Sequence, residues 1–173
     1  MQKQIGGCSM IRVLVSGAGG KMGMEVVRSV QEDDELVLVG AVDISHAGED
    51  AGTLAGIGAV NVTVESNLSQ AIQKSKPQVV VDFTSPAVIY ENAKTVLEAG
   101  VSMVIGTTGL TETQRKDLAA RAEKKQANVL VAPNFSLGAV MMMMAAEQIA
   151  KYLPNAEIIE LHHNHKYDAP SGT

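Results

Sequence analysis

Short runs of apolar residues alternate with segments of helical periodicity along most of the chain. Most of these runs are continuously apolar rather than alternating in polarity, which is typical of strands buried on both faces of a parallel sheet. We therefore predict seven strands, at Ile11–Val15, Leu36–Val42, Val60–Val64, Gln78–Phe83, Val101–Ile105, Asn128–Ala132 and Ala156–His163.

The predicted helices carry recognisable end signals. Ser85 before Pro86 predicts an N-cap followed by proline at the first helical position, and Gly100 predicts a left-handed end of the same helix. Thr111 and Gln114 have the spacing of a capping box at the next helix. Strands and helices alternating in this way predict an α/β fold with a doubly wound parallel sheet, which binds ligands at the carboxyl ends of its strands.

A shift in composition near Pro133 predicts a domain boundary. Residues 1–9 lack periodicity and are interpreted as an extension, whereas residues 10–133 contain the alternating units. Residues 134–173 predict a long helix and a final strand, which would begin a second, α+β domain. Because the chain stops at Thr173 inside a polar and chemically dense segment, we expect this second domain to be incomplete.

Composition narrows the classes of function. Fourteen Lys and Arg residues against nineteen Asp and Glu residues give a net charge of −5, so no overall basic field attracts nucleic acid. The longest apolar stretch is far shorter than the ~20 residues that span a bilayer. A single cysteine, Cys8, excludes an internal disulfide and a multi-cysteine metal site. The polar segment Met1–Ser9 is unlike a secretory signal, so a cytoplasmic location is expected.

A glycine-rich loop follows the first predicted strand. Its glycines at positions 17, 20 and 23 keep the three-residue spacing of a phosphate loop, with a strand before and a helix after. Glycine there permits a tight turn and close approach of the backbone to a pyrophosphate, which also meets the N–H groups of the helix. This context favours dinucleotide binding over a purely structural turn. The candidate contacts are Gly17, Ala18, Gly19, Gly20, Lys21 and Met22.

Asp43 ends the second predicted strand, where a carboxylate accepts hydrogen bonds from the ribose hydroxyls of a dinucleotide. A 2′-phosphate beside it would be repelled, because two unit charges 4 Å apart interact by about 4 kcal/mol at an effective dielectric constant of 20. The following residues, Ile44, Ser45 and His46, include no arginine to compensate, although Lys21 partly does so. The sequence thus predicts NADH or NADPH as cofactor, with a modest preference for NADH. The alternative is that Asp43 is only a turn residue at a strand end.

The loop Asp82–Pro86 after the fourth predicted strand holds small hydroxyl residues that can line a nicotinamide ribose or a substrate, although capping is the preferred role of Ser85. Two more loops follow predicted strands at the same edge. The first, Gly-Thr-Thr-Gly, leaves backbone groups open beside the crevice, which favours a site role over simple capping. In the second, Phe135 either packs near a nicotinamide ring or fills the core. The candidate cofactor contacts in these loops are Gly106, Thr107, Thr108, Ala132, Pro133, Asn134 and Phe135.

The end of the chain holds three of its four histidines. A metal site is not favoured, since His162 and His163 are adjacent on a predicted strand and would point to opposite faces. A purely structural role is a second alternative. The interpretation we prefer is a pocket for an anionic substrate, in which His162 and Lys166 supply protons and positive charge. The Ser-Gly-Thr sequence that ends at Thr173 looks like a helix start able to hold a carboxylate.

These residues resemble the 4-hydroxy-tetrahydrodipicolinate reductase family, also called dihydrodipicolinate reductase. The family signature His-His-x-x-Lys-x-Asp-Ala-Pro-Ser-Gly-Thr is similar to His162–Thr173 throughout, and four further motifs occur in the family's order. The resemblance implies a Rossmann-type cofactor domain, a second domain of mixed sheet and a homotetramer. It also implies NADH- or NADPH-dependent reduction of a cyclic imine dicarboxylate in the diaminopimelate route to lysine.

The resemblance further implies roles for individual residues. His162 is expected to be a catalytic proton donor or acceptor and Lys166 the proton donor to the substrate, while His163, Gly172 and Thr173 would bind substrate carboxylates. The cofactor shell would comprise the three loops and Asp43. Members that favour NADPH carry a basic residue where this chain has Ile44, so the expected preference for NADH stays intact but modest.

Two rival functions stay open. One is another dehydrogenase of aspartate-derived metabolites, although the semialdehyde enzymes need an acylating cysteine and Cys8 lies outside the predicted domain. The other is a non-catalytic NAD-binding sensor, which needs the glycine loop and Asp43 but not the pair His162 and Lys166. Because the family's chains are longer, we expect a chain of only 173 residues to bind cofactor without turnover.

Overall fold

A computed structural model describes residues 10–132, 134–155, 157 and 159. Five of the predicted strands are found within one residue at each end, and the segment predicted as the seventh, Ala156–His163, falls largely outside the described residues. The strands are β1 (Ile11–Ser16), β2 (Leu36–Val42), β3 (Val64–Glu65), β4 (Val79–Asp82), β5 (Ser102–Ile105) and β6 (Val129–Val131).

Helices connect the strands and follow the last of them. They are α1 (Lys21–Glu32), α2 (Ala51–Leu54), α3 (Leu68–Ser75), α4 (Ile89–Glu98), α5 (Glu112–Lys125) and α6 (Leu137–Ala150). The strands form one sheet in the order β3-β2-β1-β4-β5-β6, with every neighbouring pair parallel. This is the strand order of the Rossmann fold, and it confirms the predicted doubly wound sheet.

Each face of the sheet covers its own core. Along β1, Leu14 belongs to a cluster with α3, α4 and α5, whereas Val13 and Val15 belong to a cluster with α1 and α2. Successive side chains of a strand point to opposite faces, so an apolar residue is needed at every position. This double burial explains why the strands are continuously apolar in sequence.

The helix signals were predicted with mixed success. The capping box of α5 is present: Thr111 accepts from the backbone N–H of Gln114, and the Gln114 side chain accepts from the Thr111 N–H. Gly100 follows α4 with a φ of +72°, as predicted. These signals depend on neighbouring residues alone, so they could be identified without knowledge of the tertiary structure.

The predicted N-cap at Ser85 is wrong. The helix α4 begins at Ile89, and its N-cap residue, Val88, makes no side-chain hydrogen bond to the helix. Ser85 contributes only its carbonyl oxygen, which accepts from the backbone N–H groups of Val88 and Ile89. The reason is a tertiary contact of Pro86, which packs so closely on Gly109 that a Cβ there would lie 2.6 Å from the Pro86 Cβ. This contact accompanies a turn over residues 86–88 in place of a first helical turn.

The predicted strand Val60–Val64 is also mostly wrong, because only its last residue enters β3. The carboxylate of Asp50 accepts hydrogen bonds from the N–H groups of Val60, at 3.1 Å, and of Val62, at 3.2 Å. These donors are therefore engaged by a side chain instead of a neighbouring strand. Hydrogen bonds to a side chain ten or more residues earlier in the chain thus override the local preference for an extended strand.

The chain divides into two compact units, Met1–Val131 and Ala132–Thr173. In the second unit, the hydroxyl of Ser136 caps α6 by accepting from the N–H of Ala139, and the side chain of Asn134 accepts from the N–H of Ser136 at 2.6 Å. The domain bounds inferred from the sequence, 10–133 and 134–173, remain a prediction.

Candidate functional site

A crevice of about 420 Å³ opens at the carboxyl edge of the sheet, where the strand order reverses between β1 and β4. Open α/β sheets bind ligands at this reversal. The ends of β1, β2 and β4 and the segments that follow them supply its walls. The lining residues are Ser16, Gly17, Gly20, Val42, Asp43, Ile44, Ser45, Ser66, Leu68, Phe83, Thr84, Ser85, Val88 and Asn92.

The glycine loop is shaped by close backbone contacts. Gly17 has a φ of +80°, and a Cβ on it would lie 2.4 Å from the carbonyl oxygen of Phe83. A Cβ on Gly23 would lie 1.9 Å from the carbonyl oxygen of Gly17. At Gly20, in contrast, the nearest atom to an added Cβ is 3.4 Å away. Gly17 and Gly23 thus allow the loop to pack closely. Gly20 is not needed for this packing and lines the crevice.

The same loop fits an anion. The helix α1 begins at Lys21, and its N-cap residue, Gly20, has no side chain to accept from the N–H groups of the first turn. These N–H groups and the helix dipole favour a negative group at this end. The bare backbone of Gly20 allows a phosphate to approach closely. The residues present therefore fit the pyrophosphate of a dinucleotide.

Asp43 lies against this loop. Its Oδ2 accepts from the backbone N–H of Gly19 at 3.0 Å, and its Oδ1 accepts from the N–H of Ser45 at 2.9 Å. The ring of His46 lies over Gly19 as well, since a Cβ added there would be 2.2 Å from the His46 Cδ2. The Nδ1 of His46 is 3.1 Å from Oε1 of Glu49. One carboxylate and one imidazole therefore lie against the glycine loop, with Glu49 beside the imidazole.

A second carboxylate, Asp82, lies fully buried at the end of β4. Its Oδ1 accepts from the hydroxyl of Thr84 at 2.7 Å and from that of Thr107 at 2.9 Å. Its Oδ2 accepts from the side-chain amide of Asn92 at 3.0 Å. This polar cluster connects the loop after β4, the loop after β5 and the helix α4.

The chain matches one enzyme family over most of its length. Residues 11–135 match the family described as dihydrodipicolinate reductase, N-terminus, and residues 138–173 match dihydrodipicolinate reductase, C-terminus. The chain belongs to the dihydrodipicolinate reductase family. The resemblance found in the sequence motifs is confirmed by these matches.

Individual relatives agree with this assignment. The chain is 48% identical over 162 residues to 4-hydroxy-tetrahydrodipicolinate reductase of Syntrophomonas wolfei, covering 94% of this chain and 61% of that protein. It is 49% identical over 171 residues to the protein of the same name from Rippkaea orientalis, covering 95% and 62%. The chain therefore spans about three fifths of the length of these relatives.

A solved structure supports the same relationship. A dipicolinate-bound dihydrodipicolinate reductase from Paenisporosarcina sp. TG-14 is 40% identical, with a TM-score of 0.75. The match covers 94% of this chain and 62% of that one. The fold of this chain is therefore that of a dihydrodipicolinate reductase over the part compared.

The structure brings together part of the predicted cofactor shell of this reductase family. Gly17, Gly20 and Asp43 line the crevice, and Gly19 is tied to Asp43. Ala18 is buried, so its side chain contributes to packing. The other two candidates in the glycine loop, Lys21 and Met22, are exposed in the first turn of α1.

The loop after β5 adjoins the crevice through β4. A Cβ on Gly106 would lie 2.1 Å from the ring of Phe83, and the hydroxyl of Thr107 is engaged by Asp82 and by the N–H of Thr84. Cofactor contact by this loop, including Thr108, stays a prediction.

Other predicted site residues are not placed in the crevice. Ala132, Asn134 and Phe135 belong to the second unit, and their cofactor roles remain predictions. The predicted residues that lie outside the described part of the chain are Pro133, His162, His163, Lys166, Gly172 and Thr173.

Asn92 is a site residue that the sequence interpretation missed. It lines the crevice and donates to Asp82. The signal for it was present, because Asn92 lies three residues after Ile89 and four before Val96, both fully buried. A polar residue on the apolar stripe of a helix needs a buried partner, and Asp82 is that partner.

The described residues hold neither a membrane-spanning helix nor a cluster of metal ligands. No helix there is long and apolar enough to cross a membrane. Within residues 10–132 and 134–155, no three His, Cys, Asp or Glu side chains are grouped as metal ligands.

Proposed function

We propose that the whole protein is an NAD(P)H-dependent reductase that converts 4-hydroxy-tetrahydrodipicolinate, through its dehydrated imine, to tetrahydrodipicolinate. This step lies in the diaminopimelate route to lysine. Family membership and the dipicolinate bound by the Paenisporosarcina relative support a small dicarboxylate as the substrate. The observation that carries the cofactor part of the proposal is the approach of the Asp43 carboxylate to the glycine loop at the carboxyl edge of the sheet.

In this proposal the first unit holds the cofactor. The N–H groups at the start of α1 bind the pyrophosphate beside Gly20, and Asp43 accepts hydrogen bonds from the adenosine ribose. The bound nicotinamide supplies the hydride for the reduction. The loops after β4 and β5 orient the nicotinamide half and exclude water from it.

NADH is the preferred form in this proposal. Asp43 borders the ribose position, and Glu49 adds a second carboxylate behind His46. Both would repel the 2′-phosphate of NADPH. Lys21, at the start of α1, opposes this repulsion, so NADPH is disfavoured rather than excluded.

The substrate part of the proposal rests on the family resemblance. His163, Gly172 and Thr173 bind the substrate carboxylates. Lys166 donates a proton to the substrate, and His162 holds or accepts a proton nearby. The homotetramer and the cytoplasmic location belong to the same proposal.

The loss of nicotinamide absorbance tests this function. Freshly made product of the upstream synthase is added to the protein with NADH and, separately, with NADPH. Substrate-dependent loss that disappears in Lys166→Ala is expected for the reductase, whereas cofactor binding without any turnover by the full-length protein would favour the NAD-binding sensor.

A further inference from the structure

The carboxylate of Asp82 receives four hydrogen bonds, all from neutral donors. Three reach Oδ1, from the backbone N–H of Thr84 at 3.0 Å, from the Thr84 hydroxyl and from the Thr107 hydroxyl. The fourth reaches Oδ2, from the amide of Asn92. A fully buried carboxylate without such donors is strongly disfavoured, so this network holds the surrounding loops in one arrangement.

We propose that Asp82 is a positioning residue of the cofactor site, which locks the loops after β4 and β5 together and so preforms the nicotinamide half of the crevice. This inference rests on the proposed function, because it presumes that a dinucleotide binds there. In the Rossmann fold, the two halves of the sheet each bind one mononucleotide. Since Asp82 ends β4 and contacts the loop after β5, its effect falls on the half opposite Asp43.

Phe83 transmits the position of Asp82 to the rest of the crevice. Its ring lies on Gly106, where an added Cβ would be 2.1 Å from a ring carbon, and its carbonyl oxygen lies against Gly17. In both contacts Phe83 lies directly against the backbone of a glycine. Gly106 and Gly17 have no side chain that could move to absorb a shift of Phe83. A shift of Asp82 would therefore displace the walls lined by Phe83 and Thr84.

The network needs a carboxylate at position 82 because of Asn92. In Asp82→Asn, the new amide would keep an oxygen toward Thr84 and Thr107 but would turn its NH₂ group toward the NH₂ group of Asn92. Two donors would then face each other, and the Asn92 amide relieves this only by rotating, which gives up its hydrogen bond to the Thr84 hydroxyl. In the exchanged double variant Asp82→Asn/Asn92→Asp, the amide again donates to a carboxylate and the pairing is restored.

Cofactor binding by these variants tests the proposal. The chain contains no tryptophan, so binding of NADH is followed by the fluorescence of NADH itself, and binding of ADP, which carries only the adenosine half, by calorimetry. We expect Asp82→Asn to raise the Kd for NADH about tenfold, the effect of one lost buried hydrogen bond, and to leave the Kd for ADP within about twofold. The exchanged double variant should recover most of the NADH affinity.

Three results would overturn the proposal. They are an unchanged Kd for NADH in folded Asp82→Asn, an equal rise for NADH and ADP, and failure of the exchanged variant to recover. If Asp82→Asn does not fold, Thr107→Val removes the hydroxyl that donates to Asp82 and accepts from the Thr84 N–H while nearly keeping the shape, and Thr107→Ser is its matched control. A larger Kd for NADH in the valine variant alone is then expected, and equal values in both would contradict the proposal.

The proposed function can fail separately. If the unsubstituted chain binds neither NADH nor NADPH, the proposed function is wrong and this inference is wrong with it. If the unsubstituted chain binds NADH and Asp82→Asn binds it equally well, only the positioning role is excluded.

Discussion

The Oδ2 atom of Asp43 lies 3.0 Å from the backbone nitrogen of Gly19, which ties the end of β2 to the glycine loop. The other oxygen of Asp43 accepts from Ser45, so the carboxylate is held from both sides. A charge fixed in this way discriminates between ligands, because it cannot swing away from an unfavourable group. We therefore expect the cofactor preference of the protein to depend on this carboxylate.

Replacing Asp43 tests that dependence. In Asp43→Ala, we expect the Kd for NADH to rise more than the Kd for NADPH, because the ribose loses an acceptor while the 2′-phosphate loses a repulsive charge. The ratio of the two dissociation constants should change about tenfold. This change corresponds to about 1.4 kcal/mol, which is a fraction of the interaction of about 4 kcal/mol between two unit charges 4 Å apart. Glu123→Gln, which removes one exposed negative charge in the last turn of α5, is the control. Equal changes for both cofactors would remove Asp43 from the ribose site.

Lys21 should act in the opposite sense. It is the first residue of α1 and exposed beside the glycine loop, so its ammonium group is the expected partner of a 2′-phosphate. In Lys21→Met, we expect the Kd for NADPH to rise several-fold at low salt, while the Kd for NADH stays nearly constant. The difference should shrink as salt is added, since exposed charges are screened. A salt-independent effect of equal size on both cofactors would show that Lys21 contacts a part that the two cofactors share.

Much of this fold could be predicted from the sequence because its strands are buried on both faces. Continuous apolar runs such as Leu36–Val42 located the strands, and the alternation with helices indicated the sheet type. The glycine spacing and Asp43 could be interpreted because a Rossmann loop requires them at fixed positions. These features depend on residues close in sequence or on a strict topology.

The parts that were not predicted depend on distant side chains. The N–H groups of Val60 and Val62 are engaged by Asp50, and Pro86 packs on Gly109. The partnership of Asp82 with Asn92 likewise crosses from a strand to a helix. No local pattern specifies such contacts, so the shortened β3 and the late start of α4 could be seen only in the structure.

Two glycines of the loop should respond differently to the same substitution. A Cβ at Gly23 would lie 1.9 Å from the carbonyl oxygen of Gly17, where backbone meets backbone and neither can move away. Gly23→Ala should therefore lower the free energy of unfolding by about 2 kcal/mol, or roughly 5 °C in Tm.

Gly20→Ala is the matched control for that prediction. An added Cβ at Gly20 meets only the carbonyl oxygens of Gly17 and Phe83, at 3.4 and 4.0 Å, so the Tm should stay nearly constant. Because Gly20 lines the crevice, the same variant should bind NADH more weakly. Thermal unfolding followed by circular dichroism separates the two variants. A Gly23→Ala protein as stable as the unsubstituted chain would mean that α1 and the glycine loop pack less tightly than the structure indicates.

Asp50 should make the stability of the first unit depend on pH. Hydrogen bonding from the backbone N–H of Thr53 is the largest cause that lowers the pKa of Asp50 below its ordinary value of 3.8. The N–H groups of Val60, Gly52 and Val62 lower the pKa further, and desolvation opposes them. A lowered pKa in the folded state means that the ionised carboxylate stabilises the fold above the unfolded pKa, and that this contribution is lost as the pH falls through the folded pKa.

Two variants of Asp50 separate its charge from its hydrogen bonds. Asp50→Ala removes the acceptor and should lower the free energy of unfolding by about 1–2 kcal/mol at neutral pH, the usual cost of losing an N-cap. Asp50→Asn keeps one acceptor oxygen and should cost less. The gap between the unsubstituted chain and Asp50→Asn should begin to narrow below about pH 4 and narrow further as the pH falls through the lowered folded-state pKa, while the gap to Asp50→Ala persists. Urea unfolding between neutral pH and about pH 3 measures both gaps, and a gap to Asp50→Asn that stays constant over this range would show that the charge of Asp50 does not stabilise the fold.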